Sequence, residues 1–91
     1  MNVPRQPNDE EINQLALYLL AQRNADPADA EEVNDAKEQV ESASAAIFDH
    51  YITDCPGYAG KLMVVIWSGD PAFCEVFGWT NGKMICLKGL P

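Results

Sequence analysis

The chain has few basic residues and a single histidine. Lysine and arginine together number 6 among 91 residues, against 14 aspartates and glutamates, which gives a formal net charge of -8. A surface with this balance repels the phosphate backbone of DNA and RNA, because nucleic-acid binding depends on clustered cations. We therefore expect no direct contact with nucleic acid.

Long hydrophobic runs are also missing. The longest one, Leu62–Trp67, is far shorter than the roughly 20 residues that a membrane-spanning helix needs. The first 14 residues are polar and lack the basic segment and apolar run of a secretory signal. These absences predict a cytoplasmic protein without membrane association.

Cysteines are few and widely spaced. Cys55, Cys74 and Cys86 are odd in number, and reduced thiols are the simplest interpretation. No Cys-x-x-Cys pair accompanies the single His50, which argues against a zinc site. The glycine spacings of phosphate-binding loops are absent as well. We predict no metal, no cofactor and no catalytic residue set.

A small thiol enzyme is the weaker alternative. His50, Asp54 and Cys55 lie close in sequence, and a cysteine–histidine pair oriented by a carboxylate can form a nucleophile. However, Cys55 would follow the C-terminus of a predicted helix, where the helix dipole disfavours a thiolate.

The first half of the chain has sequence patterns that are typical of helices. Asn8 is a good N-cap for a helix over about 9–23, whose apolar residues recur at helical spacing. Asp26 and Pro27 predict the start of a second helix that runs to about Thr53 and packs antiparallel on the first. Its apolar stripe recurs at intervals of seven residues, at Val33, Val40 and Ile47.

The second half has the composition of β-strands. Segments 61–68, 72–79 and 84–88 are rich in β-branched and aromatic residues, and Asn81-Gly82 is the preferred pair for a two-residue type I′ hairpin. The predicted fold is α+β and forms a single domain over 1–91. A helical part of about 9–53 precedes a three-stranded antiparallel β-meander of about 61–88.

The hairpin fixes a register that separates two faces of the sheet. In this register the predicted pairs run from Thr80 with Lys83, through Phe77 with Cys86 and Val76 with Leu87, to Glu75 with Lys88. A face of small apolar residues is assigned to the helices: Cys74, Val76, Gly78, Ile85 and Leu87. The opposite face is aromatic and would also carry an ion pair between Glu75 and Lys88: Phe73, Phe77, Trp79 and Met84. The first strand is apolar on both sides, so both faces need a cover.

Three covers are possible for the aromatic face. They are a second copy of the chain, a different protein, or one of the chain's own helices if the two helices lie on opposite sides of the sheet. Two helices are few for two faces, and a patch of large side chains on a monomer usually marks an interface. We therefore predict that the aromatic face binds a partner.

The acidic residues are concentrated in the helical half. The first 54 residues hold 12 of the 14 acidic residues and 3 of the 6 basic ones. An acidic helix attracts basic partners, although such residues also simply solvate an exposed helix. The residues predicted to bind a basic partner lie on the second helix: Glu31, Glu32, Asp35 and Glu38.

These patterns together predict a small non-enzymatic protein-interaction module. One specific form is an inhibitor whose acidic helices imitate nucleic-acid charge and block a nucleic-acid-binding protein or a nuclease complex. Small acidic phage proteins that disarm host nucleases are similar in size and charge, which suggests a viral or mobile-element protein. The alternative is a homodimer with a structural or regulatory role.

Overall fold

A computed structural model describes residues 3–51 and 60–88 of the chain. Two helices, α1 (Asp9–Gln22) and α2 (Ala30–Glu41), precede four strands. The strands are β1 (Ser44–Tyr51), β2 (Gly60–Ile66), β3 (Cys74–Thr80) and β4 (Lys83–Lys88), and a short 3₁₀ turn over Trp67–Gly69 follows β2. They form one antiparallel sheet in the order β1-β2-β3-β4. The predicted α+β class is confirmed, but the predicted number of strands, three, is wrong.

Helix α1 begins as the sequence predicts. The Asn8 side chain accepts a hydrogen bond from the Glu11 N–H, and the Glu11 carboxylate accepts one from the Asn8 N–H, both at 2.9 Å. This reciprocal capping box satisfies two of the donors that a helix N-terminus leaves unpaired. The helix then buries one face, formed by Leu15, Ala16 and Leu20.

The second predicted helix is wrong at both ends. Asp29, not Asp26, is the N-cap, and its carboxylate accepts from the N–H groups of the first turn of α2. The Asp26 carboxylate instead accepts from the Ala28 N–H in the preceding turn. The helix ends at Glu41, and residues 44–51 of the predicted continuation form strand β1. Ile52 and Thr53 lie outside the described residues.

Pairing with β2 explains why this segment is a strand. Ile47 lies opposite Met63 and Phe48 opposite Leu62, so the β1 backbone is hydrogen-bonded along a strongly apolar strand. A ladder of this kind outweighs the modest helix propensity of the segment, because propensity differences amount to less than about 1 kcal/mol per residue.

The β3–β4 hairpin has the predicted turn. Asn81 and Gly82 have φ angles of 53° and 76°, as a type I′ turn requires. The register is confirmed from Thr80–Lys83 to Phe77–Cys86, after which a bulge places Val76 opposite Lys88. The predicted pairing of Val76 with Leu87 and of Glu75 with Lys88 is therefore wrong.

The two helices pack against one face of the sheet. The core joins apolar residues of both helices to four strand residues that are 0% exposed: Ile47, Met63, Val65 and Phe77. The Tyr18 ring of α1 meets the Phe77 ring edge-on, with 4.9 Å between centroids. The face that the sequence assigned to a partner is thus the covered one, and the predicted assignment of the two faces is reversed.

Candidate interaction surfaces

The sheet face turned away from the helices is apolar across all four strands. We call it the outer face and define it by its nine residues: Ala46, Phe48, Leu62, Val64, Ile66, Cys74, Val76, Ile85 and Leu87. Leu62 is buried and the other eight are partly exposed. Strand spacings of about 4.8 Å and about 3.3 Å per residue give this face roughly 300 Å². An apolar patch of this size on a monomer is often functional.

Gly78 gives the centre of the outer face its shape. A Cβ atom at this position would lie 2.9 Å from the Leu87 Cδ1 and 3.3 Å from the Leu62 Cδ2. The two leucine side chains therefore occupy the space that the glycine leaves open. The sequence predicted a close approach of a helix at Gly78, but the approaching group is Leu87, carried there by the β4 bulge.

The residues predicted to bind a partner through the aromatic face divide into two groups. Phe77 is fully buried, Trp79 donates from its indole Nε1 to the Gln14 Oε1 at 2.6 Å, and Met84 packs against the core. These three stabilise the contact between α1 and the sheet. Phe73 differs, because it precedes β3 and is 49% exposed.

The predicted acidic residues lie on α2, and three of the four are exposed. Glu31, Asp35 and Glu38 follow one helical face and form no salt bridge with a described residue. Glu32 is partly buried, and its carboxylate lies 3.9 Å from an Arg23 guanidinium nitrogen. The acidic surface of α2 is therefore narrower than the sequence predicted.

Glu11 is a buried carboxylate with two cationic partners. Its side chain is 2% exposed, and its two oxygens accept from the Arg5 guanidinium at 2.9 Å each. The Lys61 Nζ lies 2.9 Å from Oε2 and also 4.2 Å from the centroid of the Trp79 ring. The Arg5 hydrogen bonds, more than any other interaction, lower the pKa of Glu11 to about 2.

Arg5 also holds the N-terminal segment against the edge of β1. Its backbone exchanges two hydrogen bonds with Ile47, at 2.9 and 2.8 Å, and its guanidinium contacts the Asp49 carboxylate at 2.7 and 2.9 Å. These anionic neighbours raise the pKa of Arg5. The segment thereby occupies part of a sheet edge that would otherwise present unpaired backbone groups.

Glu75 is the second buried carboxylate, and its surroundings are different. It is 8% exposed, and it accepts from the Trp67 Nε1 at 2.8 Å, the Tyr18 hydroxyl at 3.4 Å and the Cys86 thiol at 3.6 Å. All three donors are neutral. Burial and then the charge of Glu75 raise the pKa of Tyr18 to about 12.

Sequence reasoning missed both buried carboxylates. The available signal for Glu11 was its place at the third position of a capping box, which explains one hydrogen bond but not the two cations. The signal for Glu75 was a lone acidic residue in an apolar strand, which the predicted register attributed to pairing with Lys88. The residues next to Arg5 and Lys61 in the sequence form no pattern that predicts their contacts with Glu11.

Two residues of the alternative thiol site, Asp54 and Cys55, lie outside the described residues. The third, His50, lies in strand β1 and not in the predicted helix. Within residues 3–51 and 60–88, no group of three or more histidine, cysteine or acidic side chains could hold a metal ion. In the same ranges, no helix has the length and apolar character needed to cross a bilayer.

Comparison with known proteins leaves the chain without a family. No family model matches it, and neither the curated proteins nor the solved structures give a significant match.

Proposed function

We propose that the chain is a small non-enzymatic protein-interaction module that binds an apolar surface of another protein through its outer face. The observation that carries this proposal is that both faces of the sheet are apolar while the two helices cover only one of them. A sheet with helices on one side ordinarily alternates apolar and polar residues, because the other side faces water.

The size of the outer face determines what kind of binding to expect. Its area of roughly 300 Å² is less than half of the roughly 800 Å² that each partner contributes to a standard stable interface. The proposal therefore predicts a weak or transient complex, or one that extends beyond the sheet. A second copy of the chain is the alternative occupant, since outer faces meeting back to back would leave the acidic helices far apart.

Site-specific photo-crosslinking tests which face contacts a partner. A photoreactive residue would replace Ile85 on the outer face or, as the matched control, Leu17, which is 54% exposed on α1. We expect Ile85 to crosslink to a discrete protein in cell extract and Leu17 not to. Crosslinking from Leu17 but not from Ile85 would contradict the proposal.

Analytical ultracentrifugation distinguishes the two occupants. A mass of 10.0 kDa that stays constant over roughly a hundredfold range of concentration supports a different partner. A doubling of the mass that Ile85→Lys abolishes, and Leu17→Lys does not, supports self-association. β4 is an edge strand and Ile85 is partly exposed, so the lysine should be tolerated.

A second candidate function rests on α2. The exposed carboxylates of Glu31, Asp35 and Glu38 fit a basic partner, such as a nucleic-acid-binding protein whose site they would block. Binding of this kind weakens steeply with salt, whereas binding through the outer face does not. A complex that survives high salt and the substitution Glu31→Gln would argue against this candidate.

A further inference from the structure

A groove beside Glu75 lies on the helix side of the sheet, separate from the outer face. It has a volume of about 300 Å³ and lies where the ends of α1 and α2 pass the 3₁₀ turn. Its lining includes two aromatic side chains, two amides and one carboxylate: Trp67, Phe73, Gln22, Gln39 and Glu75. A volume at the low end of ligand sites suits a single side chain or a small organic molecule.

The two buried carboxylates of this chain differ in their counter-charges. Glu11 has Arg5 and Lys61 within 2.9 Å, as a buried anion ordinarily requires. No described lysine or arginine forms a salt bridge with Glu75. Among the described residues, the donors to Glu75 are thus neutral.

Glu75 also retains capacity to accept hydrogen bonds. A carboxylate offers about four lone-pair positions, and only the Trp67 contact, at 2.8 Å, has a short distance. The contacts from Tyr18 and Cys86, at 3.4 and 3.6 Å, are long. A further donor that brings a positive charge would complete the site.

Phe73 lies at the same groove as an exposed aromatic residue with a fixed backbone. Its backbone N–H donates to the Asp70 carbonyl and its carbonyl accepts from the Trp67 N–H, both at 2.9 Å. Ser68 and Gly69, with φ angles of 54° and 70°, turn the chain between these bonds. These bonds fix the backbone that carries the ring, which reduces the entropy that a ligand contact would cost.

We propose that this groove binds an organic cation, the ammonium or guanidinium end of a lysine or arginine side chain that a protein partner presents. Glu75 supplies the counter-charge, and the faces of Trp67 and Phe73 attract the cation through their π-systems. The amides of Gln22 and Gln39 add neutral acceptors at the rim. The site does not depend on binding through the outer face.

NMR titration tests the proposal with probes of defined chemistry. The chain has two tryptophans, so its two indole N–H signals report the groove (Trp67) and a reference position (Trp79). Nα-acetyl-arginine amide and Nα-acetyl-lysine amide should shift the Trp67 signal in a saturable way at constant ionic strength. The neutral analogue Nα-acetyl-citrulline amide should not.

Two variants locate the binding. Glu75→Gln should weaken binding of the arginine probe by roughly tenfold or more, because it removes the counter-charge. Glu10→Gln makes the same change in net charge at an exposed position outside the groove and should leave binding unchanged. If Glu75→Gln does not fold, Phe73→Ala replaces a residue that is 49% exposed and should weaken binding severalfold.

The controls distinguish this site from the proposed function. Ile85→Lys should leave the Trp67 titration unchanged whether or not the outer face binds a protein. A short peptide with one central arginine should bind more tightly than butylguanidinium, whereas equal binding would assign the groove to small organic cations. The proposal is overturned if citrulline shifts the signal as arginine does, or if neither Glu75→Gln nor Phe73→Ala weakens binding.

Discussion

At the scale of single residues, the Glu11 carboxylate links separate parts of the chain. Its carboxylate caps α1, pairs with Arg5 and reaches Lys61 on β2, so it joins three segments that are distant in sequence. Glu11 is the buried member of this cluster, 2% exposed against 38% for Arg5 and 34% for Lys61, so loss of the cations would leave a buried charge without a partner.

We expect Glu11→Gln to lower the free energy of unfolding by about 3 kcal/mol, the free energy that corresponds to the lowered pKa of Glu11. The amide keeps the shape of the side chain but removes the anion that Lys61 contacts and one of the two anions that Arg5 contacts, Asp49 being the other. Urea unfolding followed by tryptophan fluorescence measures the change. Glu10→Gln, at an exposed position on the same helix turn, should alter stability by less than about 0.5 kcal/mol. Equal effects of the two variants would show that the buried pairs contribute nothing.

The lowered pKa of Glu11 also predicts a pH dependence of stability. The carboxylate has a pKa of about 2 in the folded protein, against an ordinary value of 4.5. Above about pH 5 it is charged in both the folded and the unfolded chain, so its full contribution of about 3 kcal/mol is present. Between about pH 5 and about pH 2 the unfolded chain takes up a proton first, and the contribution is lost.

Thermal unfolding from pH 6 to pH 2 measures this loss. The Tm of the unmodified protein should fall through that range, and the fall should be smaller in Glu11→Gln, which has no proton to take up at this site. Parallel curves for the two proteins would contradict the assignment of the acid sensitivity to Glu11.

At the scale of elements, the helices and turns that are determined by neighbouring residues in the sequence were predictable. The capping residues of α1 and the Asn81-Gly82 turn specify their structures within a few positions, and both form as the sequence indicates. Strand β1 was not predictable in this way. Val33, Val40 and Ile47 continue one seven-residue repeat across the end of α2, and only pairing with β2 makes the last of them a strand residue.

The N-cap of α1 gives a prediction at this scale. Asn8→Ala removes the side-chain acceptor of the capping box, and we expect it to lower the free energy of unfolding by about 1 kcal/mol. Asn13→Ala, at an exposed interior position of the same helix, should be neutral or slightly stabilising, because alanine has the higher helix propensity. Circular dichroism during urea unfolding measures both, and a larger loss in Asn13→Ala would contradict the cap assignment.

At the scale of the whole molecule, the sequence established that both faces of the sheet are apolar but not which one the helices cover. The two faces have similar hydrophobicity, so the choice depends on side-chain fit, as between Tyr18 and Phe77, rather than on composition. The bulge that places Leu87 over Gly78 is not predicted by any sequence pattern either. Of the predicted aromatic site, Phe73 alone is an exposed residue that lines a groove.

The net charge of -8 gives a prediction for the molecule as a whole. Repulsion among the acidic residues of the helices opposes the compact state, and added salt screens it. We expect a change from about 10 mM to about 500 mM NaCl to stabilise the protein by about 1 kcal/mol, or roughly 4–8 °C in Tm.

A double variant, Glu31→Gln with Asp35→Asn, provides the control for this effect. It removes two exposed carboxylates without touching a described ion pair, so its Tm should be higher at low salt and should respond less to added salt. A Tm that falls with salt would show instead that the exposed pairs of Arg5 and Arg23 dominate.

The contacts of the N-terminal segment have a consequence for the order of events during synthesis. Residue 5 meets residue 47, and residue 11 meets residue 61, so the ribosome must release about two thirds of the chain before the last of these bonds can close. Until residue 47 is released, the Arg5 backbone has no strand to pair with, and until residue 61 is released, Glu11 lacks its second cation. The contacts of the segment before α1 therefore form long after that segment itself has been synthesised.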